Sequence, residues 1–266
     1  MKKLLMLCTF AVFGLSQASA QLDTDDYGFL NHVAVGVSAG TDGIGFQVAA
    51  PLTYHFALRA GYNFMPNVSY KKDVNVGNDV AFLAYPQDQK VDIKGDLKMG
   101  DFSILFDIYP SKKSSFRFTA GAYFGQEKFV EVKNADPFLQ PSAYGNKGIE
   151  LGTGAQPYTM VSDEQGNVKA DVKVKSFKPY LGIGFGRAVP KKRIGLQFDL
   201  GVQFWGKPEV WTTINDDWGV STYQKVDKDK ITNPDKDYQD VKDAVKTIEK
   251  LSVYPVMSLR LVGRLF

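Results

Sequence analysis

Apolar and polar residues alternate along most of this chain, in segments of about ten residues that are each closed by a turn. The clearest segment is residues 193–206, RIGLQFDLGVQFWG. A period of two is typical of a β-strand, because successive side chains leave opposite faces of the backbone. The apolar face of this segment carries Ile194, Leu196, Phe198, Leu200, Val202 and Phe204.

The same period predicts eight strands. They cover about residues 32–39, 44–50, 54–65, 92–109, 115–126, 171–187, 193–206 and 252–266. The connections are sorted by length: those near Pro51, Pro110 and Pro190 are tight, whereas residues 66–91, 132–170 and 207–250 form long segments. An up-and-down barrel with both termini in the periplasm predicts this order, with short turns inside and long loops outside. Only the first outer loop, residues 40–43, is brief.

A soluble sandwich would also alternate, but with polar residues outside and a dry core. The sorted loops and the many aromatic residues on the apolar face favour contact with lipid. Tyr54, Tyr109, Tyr254, Trp205 and Trp211 lie near strand ends, so we expect them in interfacial girdles. The predicted fold class is all-β: an eight-stranded antiparallel up-and-down transmembrane β-barrel.

The N-terminus has the layout of a secretory signal. Lys2 and Lys3 precede an apolar stretch, and Ala18-Ser19-Ala20 suits cleavage before Gln21. We therefore expect a signal peptide over residues 1–20 and a single barrel domain over residues 21–266. The one cysteine, Cys8, lies within this signal, so a mature chain would have no disulfide.

Charge and hydropathy exclude two classes of protein. Without Lys2 and Lys3, 30 basic residues face 29 acidic residues, which argues against a nucleic-acid partner because such proteins carry a basic stripe. No later run of eighteen apolar residues exists, so helical membrane spans are not expected. The mean hydropathy of −0.20 suits a barrel whose inner face is polar.

The polar face of the strands predicts a charged lumen. Eight strands leave an interior that side chains can fill, and buried charges are tolerated only when they are paired. We expect three carboxylates to pair with four arginines in a plugged barrel, and Gly182, Gly184 and Gly186 to leave room for long side chains. The carboxylates are Asp101, Asp107 and Asp199, and the arginines are Arg59, Arg117, Arg260 and Arg264.

Four parts of the chain resemble the small outer-membrane β-barrel proteins of Gram-negative bacteria, especially the eight-stranded OmpA/OmpX-like group common in Bacteroidota. They are the signal with Gln21, FSILFDIYPSKKSSFRFTAGAYFG (102–125), PYLGIGFGRAVPKKRIGLQFDLGVQFWGKP (179–208) and YPVMSLRLVGRLF (254–266). The resemblance implies location in the cell outer membrane and contact with its lipid. It also implies that the terminal Phe266 is read by the barrel-assembly machinery, although the apolar row Met257, Leu259, Leu261 and Leu265 is out of phase with Phe266.

Catalytic, cofactor and metal sites are not predicted. His32 and His55 are the two histidines, and neither has a neighbouring Ser or Asp at a spacing typical of nucleophilic catalysis. The acidic run from Asp227 to Asp237 lacks the glycine and terminal glutamate of a calcium loop. We expect a monomer with a structural role or a surface role through its long loops, where a protein or other surface ligand would bind. An outer-membrane enzyme acting on lipid or peptide, or a narrow channel, stays open as the alternative.

The last long segment contains a helical pattern. Asn233 and Pro234 suit an N-cap and a first-turn position, and a stripe follows that predicts a short helix of about four turns over residues 233–250. One interpretation of this helix is a lid that packs on the outer barrel mouth. The other interpretation is a docking surface for another protein. The stripe consists of Tyr238, Val241, Val245 and Ile248.

Overall fold

The computed structural model describes residues 27–66, 68–75, 90–112, 114–134, 148–151, 158–163, 167–215, 220–232, 234 and 236–265. The predicted signal, the N-cap Asn233 and the terminal Phe266 lie outside these residues.

Over the described residues the chain forms sixteen strands and one α-helix. The strands are β1 (Ala34–Gly40), β2 (Gly43–Pro51), β3 (Phe56–Phe64), β4 (Val68–Asn75), β5 (Lys90–Leu97), β6 (Gly100–Ile108), β7 (Arg117–Gly125), β8 (Lys128–Asn134), β9 (Gly148–Glu150), β10 (Thr159–Val161), β11 (Lys169–Lys173), β12 (Phe177–Phe185), β13 (Ile194–Phe204), β14 (Glu209–Asn215), β15 (Ser221–Lys225) and β16 (Val253–Arg264). The helix α1 spans Lys236–Lys250, and a 3-10 turn covers Lys228–Lys230.

Eight of the strands close into an antiparallel barrel in the order β1-β16-β13-β12-β7-β6-β3-β2. The first and last barrel strands close it, with Ala34 opposite Arg264 and Gly40 opposite Ser258. Closure leaves no free barrel edge, so every wall strand finds its hydrogen-bonding partners within the barrel. The predicted eight-stranded up-and-down barrel is confirmed.

The other strands form a second sheet in the order β4-β5-β8-β11-β14-β10-β9, with β15 paired to β14. We call it the loop sheet, because all its strands come from the three long connections. Strands β4, β5, β8, β11 and β14 follow the same order as β3, β6, β7, β12 and β13, to which they are joined in sequence. The loop sheet therefore prolongs five of the eight barrel strands beyond one end of the barrel.

Two of the predicted strands were wrong, because each is two strands in the structure. The segments predicted at residues 92–109 and 171–187 are each divided between the loop sheet and the barrel, as β5 with β6 and as β11 with β12. The short turns lie at the end of the barrel away from the loop sheet, as predicted from the sorted connections. The start of β1 and the end of β16 lie at the same end.

The helix α1 packs against the loop sheet. It begins close to the predicted start and ends at Lys250, and Val245 is buried in an apolar cluster with Ile214 of β14. Of the predicted stripe, Val245 is buried and Ile248 is partly buried, whereas Val241 is exposed. The other buried members of this cluster are Leu151, Val226 and Ile231.

Candidate functional site

The outer wall of the barrel is apolar. Along β2 the side chains of Phe46 and Val48 are 56% and 52% exposed, while Gln47 between them is buried. The same alternation runs through the other barrel strands, so apolar side chains cover the outside and polar side chains fill the inside. The exposed members include Val37, Leu58, Phe102, Ile104, Phe118, Leu181, Leu196, Leu200, Met257 and Leu259.

The height of this wall matches a bilayer. Strands such as β2 have nine residues, and a rise of about 3.3 Å per residue gives about 30 Å of strand. A tilt of about 40° reduces this to about 23 Å, close to the roughly 25 Å apolar band of outer-membrane barrels. A soluble sandwich is excluded because its apolar residues would face inwards. The chain is a membrane-spanning β-barrel, and this architecture places it in the cell outer membrane.

The centre of the lumen is an ion network built around Asp199 of β13. Its carboxylate accepts hydrogen bonds from Arg59 Nη1 at 3.1 Å, Arg117 Nη2 at 2.5 Å and Arg260 Nη1 at 2.6 Å. Arg59 and Arg117 are among the largest fully buried side chains of the described chain. One carboxylate therefore gathers guanidinium groups from three other strands.

Asp107 of β6 supplies the second carboxylate of the network. It accepts hydrogen bonds from Arg59 Nη2 at 2.8 Å and from the Thr119 hydroxyl at 2.7 Å. Arg117 Nε lies 3.4 Å from the same carboxylate. The network therefore has three guanidinium groups and two carboxylates, an excess of one positive charge.

Five of the seven residues proposed for the charged lumen meet in this network, and two do not. Asp101 lies nearer the loop sheet, where it pairs with Lys178 Nζ at 2.7 Å instead of an arginine. Arg264 lies at the other end of β16, opposite Ala34, and its Nη1 atom has no hydrogen-bonding partner within the described protein.

Lys178 is the main lumen residue that the sequence reasoning missed. It is buried on β12 beside Tyr180, so the period of two could have found it. Two further polar groups complete the network: Gln197 accepts from Arg260 Nη1 at 3.4 Å, and Thr119 also accepts from Arg59 Nη2 at 3.2 Å.

Glycines make room for the network. A Cβ atom built on Gly184 would lie 2.8 Å from Arg117 Cζ and from the Phe198 carbonyl oxygen. One on Gly182 would lie 2.5 Å from the Tyr180 hydroxyl. These two positions therefore leave the space that the long lumen side chains occupy.

An apolar cluster closes the end of the lumen that carries the short turns. The Tyr27 hydroxyl donates to the carbonyl oxygen of Val189 at 3.0 Å, and the Tyr109 hydroxyl accepts from the backbone of Ala188 at 2.7 Å. The turn between β12 and β13 is buried at Ala188, Val189 and Pro190. It therefore folds into the barrel end instead of projecting from it.

A second cluster closes the end beneath the loop sheet. Met99, Val174 and Trp205 are buried there, and the Trp205 ring stacks on Tyr254 with ring centres 4.4 Å apart. Phe129 lies 4.4 Å from Trp205, and the Trp205 indole donates to the Gln203 side chain at 2.9 Å.

The predicted aromatic girdles are wrong. Trp205 and Tyr109 are buried, and Tyr254 and Tyr54 pack against buried clusters. Trp211 lies on β14 of the loop sheet. The reason is phase: Trp205 lies two residues after the buried Gln203 and so shares its inward face.

The turn between β1 and β2 folds towards the lumen. Asp42 is 2% exposed; one carboxylate oxygen accepts from the Asn63 side-chain amide, and the other has no partner within the described protein. Burial raises the pKa of Asp42 to about 6. Thr41 holds the turn to β16, since its amide donates to Met257 O at 2.9 Å and its carbonyl accepts from the Tyr254 hydroxyl at 2.6 Å.

The two histidines lie at the short-turn end. A ring nitrogen of His55 donates to the carbonyl oxygen of Tyr109 at 2.8 Å, and the His32 ring packs edge-on against Tyr27. These contacts involve a backbone carbonyl and a tyrosine ring, not the nucleophile–base pair of a hydrolase.

The described residues contain neither a membrane-crossing helix nor a cluster of metal-ligand side chains. None of their helices combines the length and apolarity needed to cross a membrane. Nor do three or more histidine, cysteine or acidic side chains converge among them as metal ligands.

Known proteins with related folds are distant. CarO2 of Acinetobacter baumannii is 16% identical with a TM-score of 0.49, and the match covers 88% of this chain and 98% of that chain. CarO of the same organism is 17% identical with a TM-score of 0.48, covering 89% and 99%. A major outer membrane protein of Thermus thermophilus is 14% identical with a TM-score of 0.35, covering 88% and 98%. At these values the similarity carries no inference about function.

No protein-family model matches the sequence. No curated protein matches it either.

Proposed function

We propose that this protein is a non-enzymatic outer-membrane barrel with a plugged lumen, whose elongated loops act at the cell surface. The observation that carries the proposal is the buried ion network beneath an apolar outer wall. A water-filled pore would leave its lining side chains exposed, whereas Arg59, Asp107, Arg117 and Asp199 are all buried.

The plug consists of three layers. The cluster around Tyr109 fills the short-turn end, the network around Asp199 fills the middle, and the cluster around Trp205 fills the other end. An eight-stranded barrel whose interior is filled by side chains leaves no path for a solute.

The loop sheet supports the surface role. Its five wall-prolonging strands and α1 form a packed unit with its own apolar cluster. Ordered loops are the part of a barrel that can present a fixed surface to another molecule. The helix α1 packs on β14 of this unit, and on this proposal it serves either as a lid on the outer barrel mouth or as a docking surface for another protein.

We also propose a place for the chain among the eight-stranded OmpA/OmpX-like barrels of Bacteroidota. The closed eight-stranded order and the short turns at the end that carries the termini support it. On this proposal the chain acts as a monomer without cofactor, contacts outer-membrane lipid along its wall, and is inserted by the barrel-assembly machinery.

Planar-bilayer recording of the purified full-length protein tests the plugged lumen. We expect no large, stable conductance, while a heat-modifiability gel on the same sample reports the folded barrel. Stable openings of porin size from a sample that is folded on the gel would overturn the plug.

A further inference from the structure

A charged band lies on the outer face of the loop sheet, and the strands below it fix its direction. On β6 the inward Asp101 is buried and the outward Phe102 is 45% exposed. The alternation continues through the junction between β6 and β5, where Met99 is buried and the Lys98 side chain is 44% exposed. Lys98 and Asp96 therefore lie on the same side as the lipid-facing residues.

Strands β11 and β12 show independently that the lysines of the band point outwards. Phe177 of β12 is exposed towards lipid, and Lys173 of β11 lies four residues before it, with the buried Val174 between them. Lys173 is paired with Lys128 of β8, next to an irregularity in the register after Val172. Both lysines therefore point away from the barrel axis.

The strand register aligns like charges across the sheet in rows. Lys94 lies opposite Lys133, which lies opposite Lys169. Two residues nearer the membrane, Asp96, Glu131 and Asp171 form an acidic row in the same way. The next row towards the membrane contains the pair Lys128 and Lys173, and Lys71 of β4 extends the upper lysine row opposite Lys94.

The acidic row is shared between the lysines above and below it. Lys128 Nζ lies 2.7 Å from Asp171, and Lys98 pairs with Glu131. From above, Lys94 Nζ lies 3.3 Å from Asp96, while Lys133 reaches the same carboxylate only at 3.8 Å. The seven lysines of the band outnumber the three carboxylates of the acidic row, although Lys169 Nζ also lies 3.4 Å from Asp163 and Lys173 lies opposite Glu209 of β14. The lysines are Lys71, Lys94, Lys98, Lys128, Lys133, Lys169 and Lys173.

Like charges directly opposite one another destabilise a sheet, because neighbouring strands are only about 4.8 Å apart. A row of lysines in this register is therefore unfavourable for the isolated protein. An anion that contacts several ammonium groups at once would remove the repulsion. Phosphate suits this role, since lysine binds it as a point charge.

The lowest lysines of the band also lie at a height that suits contact with lipid headgroups. Lys98 is four residues beyond the lipid-facing Phe102, which is about 13 Å of strand. A tilt of about 40° reduces this to about 10 Å along the membrane normal, and each headgroup layer extends roughly 5–7 Å beyond the hydrocarbon core. The lowest lysines are therefore at the level of the headgroups of the outer leaflet.

We propose that this band binds the phosphate groups of the anionic glycolipid that forms the outer leaflet. The inference rests on the membrane location argued above and goes beyond it by naming the lipid chemistry. The band lies on β4, β5, β8 and β11, which prolong four of the eight barrel strands, so the lipid would be held on one side of the barrel.

Binding of purified lipopolysaccharide to the full-length protein, folded in non-ionic detergent, tests the proposal. The probes are intact lipopolysaccharide and its enzymatically dephosphorylated form. The test variant combines Lys98→Gln, Lys128→Gln and Lys173→Gln. The matched control combines Lys191→Gln, Lys192→Gln and Arg193→Gln, which remove the same charge at the opposite end of the barrel.

We expect the wild type and the control to bind the intact form about tenfold or more tightly than the dephosphorylated form, and the test variant to lose this preference. The preference should also weaken in about 0.5 M salt. Equal binding of both forms by the wild type, an unchanged preference in the test variant, or stronger competition by a soluble sulfated polymer would each overturn the proposal.

The heat-modifiability gel distinguishes failure of the lipid-binding proposal from failure of the membrane location. A folded barrel that shows no phosphate preference contradicts only the lipid-binding band. A protein that is soluble without detergent contradicts the membrane location as well. Melting of the test variant without lipopolysaccharide should occur close to the wild-type temperature, because the loss of like-charge repulsion is offset by the loss of the exposed pairs Lys98–Glu131 and Lys128–Asp171.

Discussion

Arg59 Nη1 lies 3.1 Å from the carboxylate of Asp199, although their strands are on opposite sides of the barrel. Strand β3 is four steps from β13 in either direction around the closed order. The pair therefore crosses the whole lumen, and it joins two wall strands that share no backbone hydrogen bond. A side-chain contact of this kind fixes the cross-section of the barrel.

Replacing Asp199 by Asn should strongly destabilise the barrel. The substitution keeps the shape but leaves Asp107 as the remaining carboxylate partner of Arg59 and Arg117, and it removes the ion pair that Arg260 makes with Asp199. Breaking a buried ion cluster in this way costs about 3–5 kcal/mol. Urea unfolding in detergent measures the loss.

The matched control for this substitution is Asp96→Asn, which removes a carboxylate from the outer face of the loop sheet. Its effect should be within about 0.5 kcal/mol, as is usual for surface substitutions. Equal losses in the two variants would show that the lumen network contributes no special stability.

A charge on the outer wall should be costly if the wall faces lipid. Leu200 is 45% exposed near the middle of β13, and Leu200→Arg should cost roughly 2–4 kcal/mol in a bilayer. Val241→Arg is the control, because Val241 is similarly exposed at 39% but lies on α1 beyond the wall. Folding titrations into lipid vesicles compare them, and equal costs would contradict the lipid-facing assignment.

Gly184→Ala should disturb the network without introducing charge. The new methyl group would meet both the Arg117 guanidinium, which ion pairs hold in place, and the Phe198 carbonyl oxygen. Overpacking of this kind costs about 1–3 kcal/mol. The melting temperature in detergent is the measurement, and Gly263→Ala is the control, because the nearest atom to its Cβ would be 3.9 Å away. An unchanged melting temperature for Gly184→Ala would show that the lumen can relax.

Asp42 should make the stability depend on pH. Its pKa is raised from 3.8 to about 6 in the folded chain, so the unfolded chain ionises first as the pH rises. The folded state should therefore lose stability between about pH 4 and pH 6, by roughly 3 kcal/mol, and show no further loss from this group at higher pH. The charged groups that act on Asp42 are Arg260 and Asp199.

Asp42→Asn isolates this contribution, because other carboxylates titrate equally in both proteins. The wild type should lose stability relative to the variant on going from about pH 4 to about pH 6.5. Urea unfolding in detergent at the two pH values provides the comparison. A constant difference between the two proteins over this range would contradict a buried, protonated Asp42.

The barrel was predictable because its wall alternates strictly. On β13 every second residue from Ile194 to Phe204 is apolar, and this fixes both the strand and its faces. The charged centre follows from the same phase, since Arg59, Asp107, Arg117, Asp199 and Arg260 all lie on the polar face. The ion-pair partners cannot be predicted from the alternation. It places Asp101 in the lumen but does not show that Lys178 on β12 reaches it.

The loop sheet was not predictable from local pattern. Strand β8 carries charged and apolar residues on alternate faces, but the sequence does not show which strands it pairs with, and β11 is separated from it by a long segment. The aromatic girdles failed for a related reason. A position near a strand end places a side chain such as Trp205 near the membrane surface. Whether that side chain points into the lumen or towards lipid depends on its place in the two-residue alternation.

The loop sheet prolongs only five wall strands, while β1, β2 and β16 meet at the brief turn near Thr41. The described part of the protein is therefore asymmetric: it extends beyond the wall above β3, β6, β7, β12 and β13 and ends close to the wall above β1, β2 and β16. A large molecule that approaches this end of the barrel would therefore meet the loop sheet before it reaches the wall.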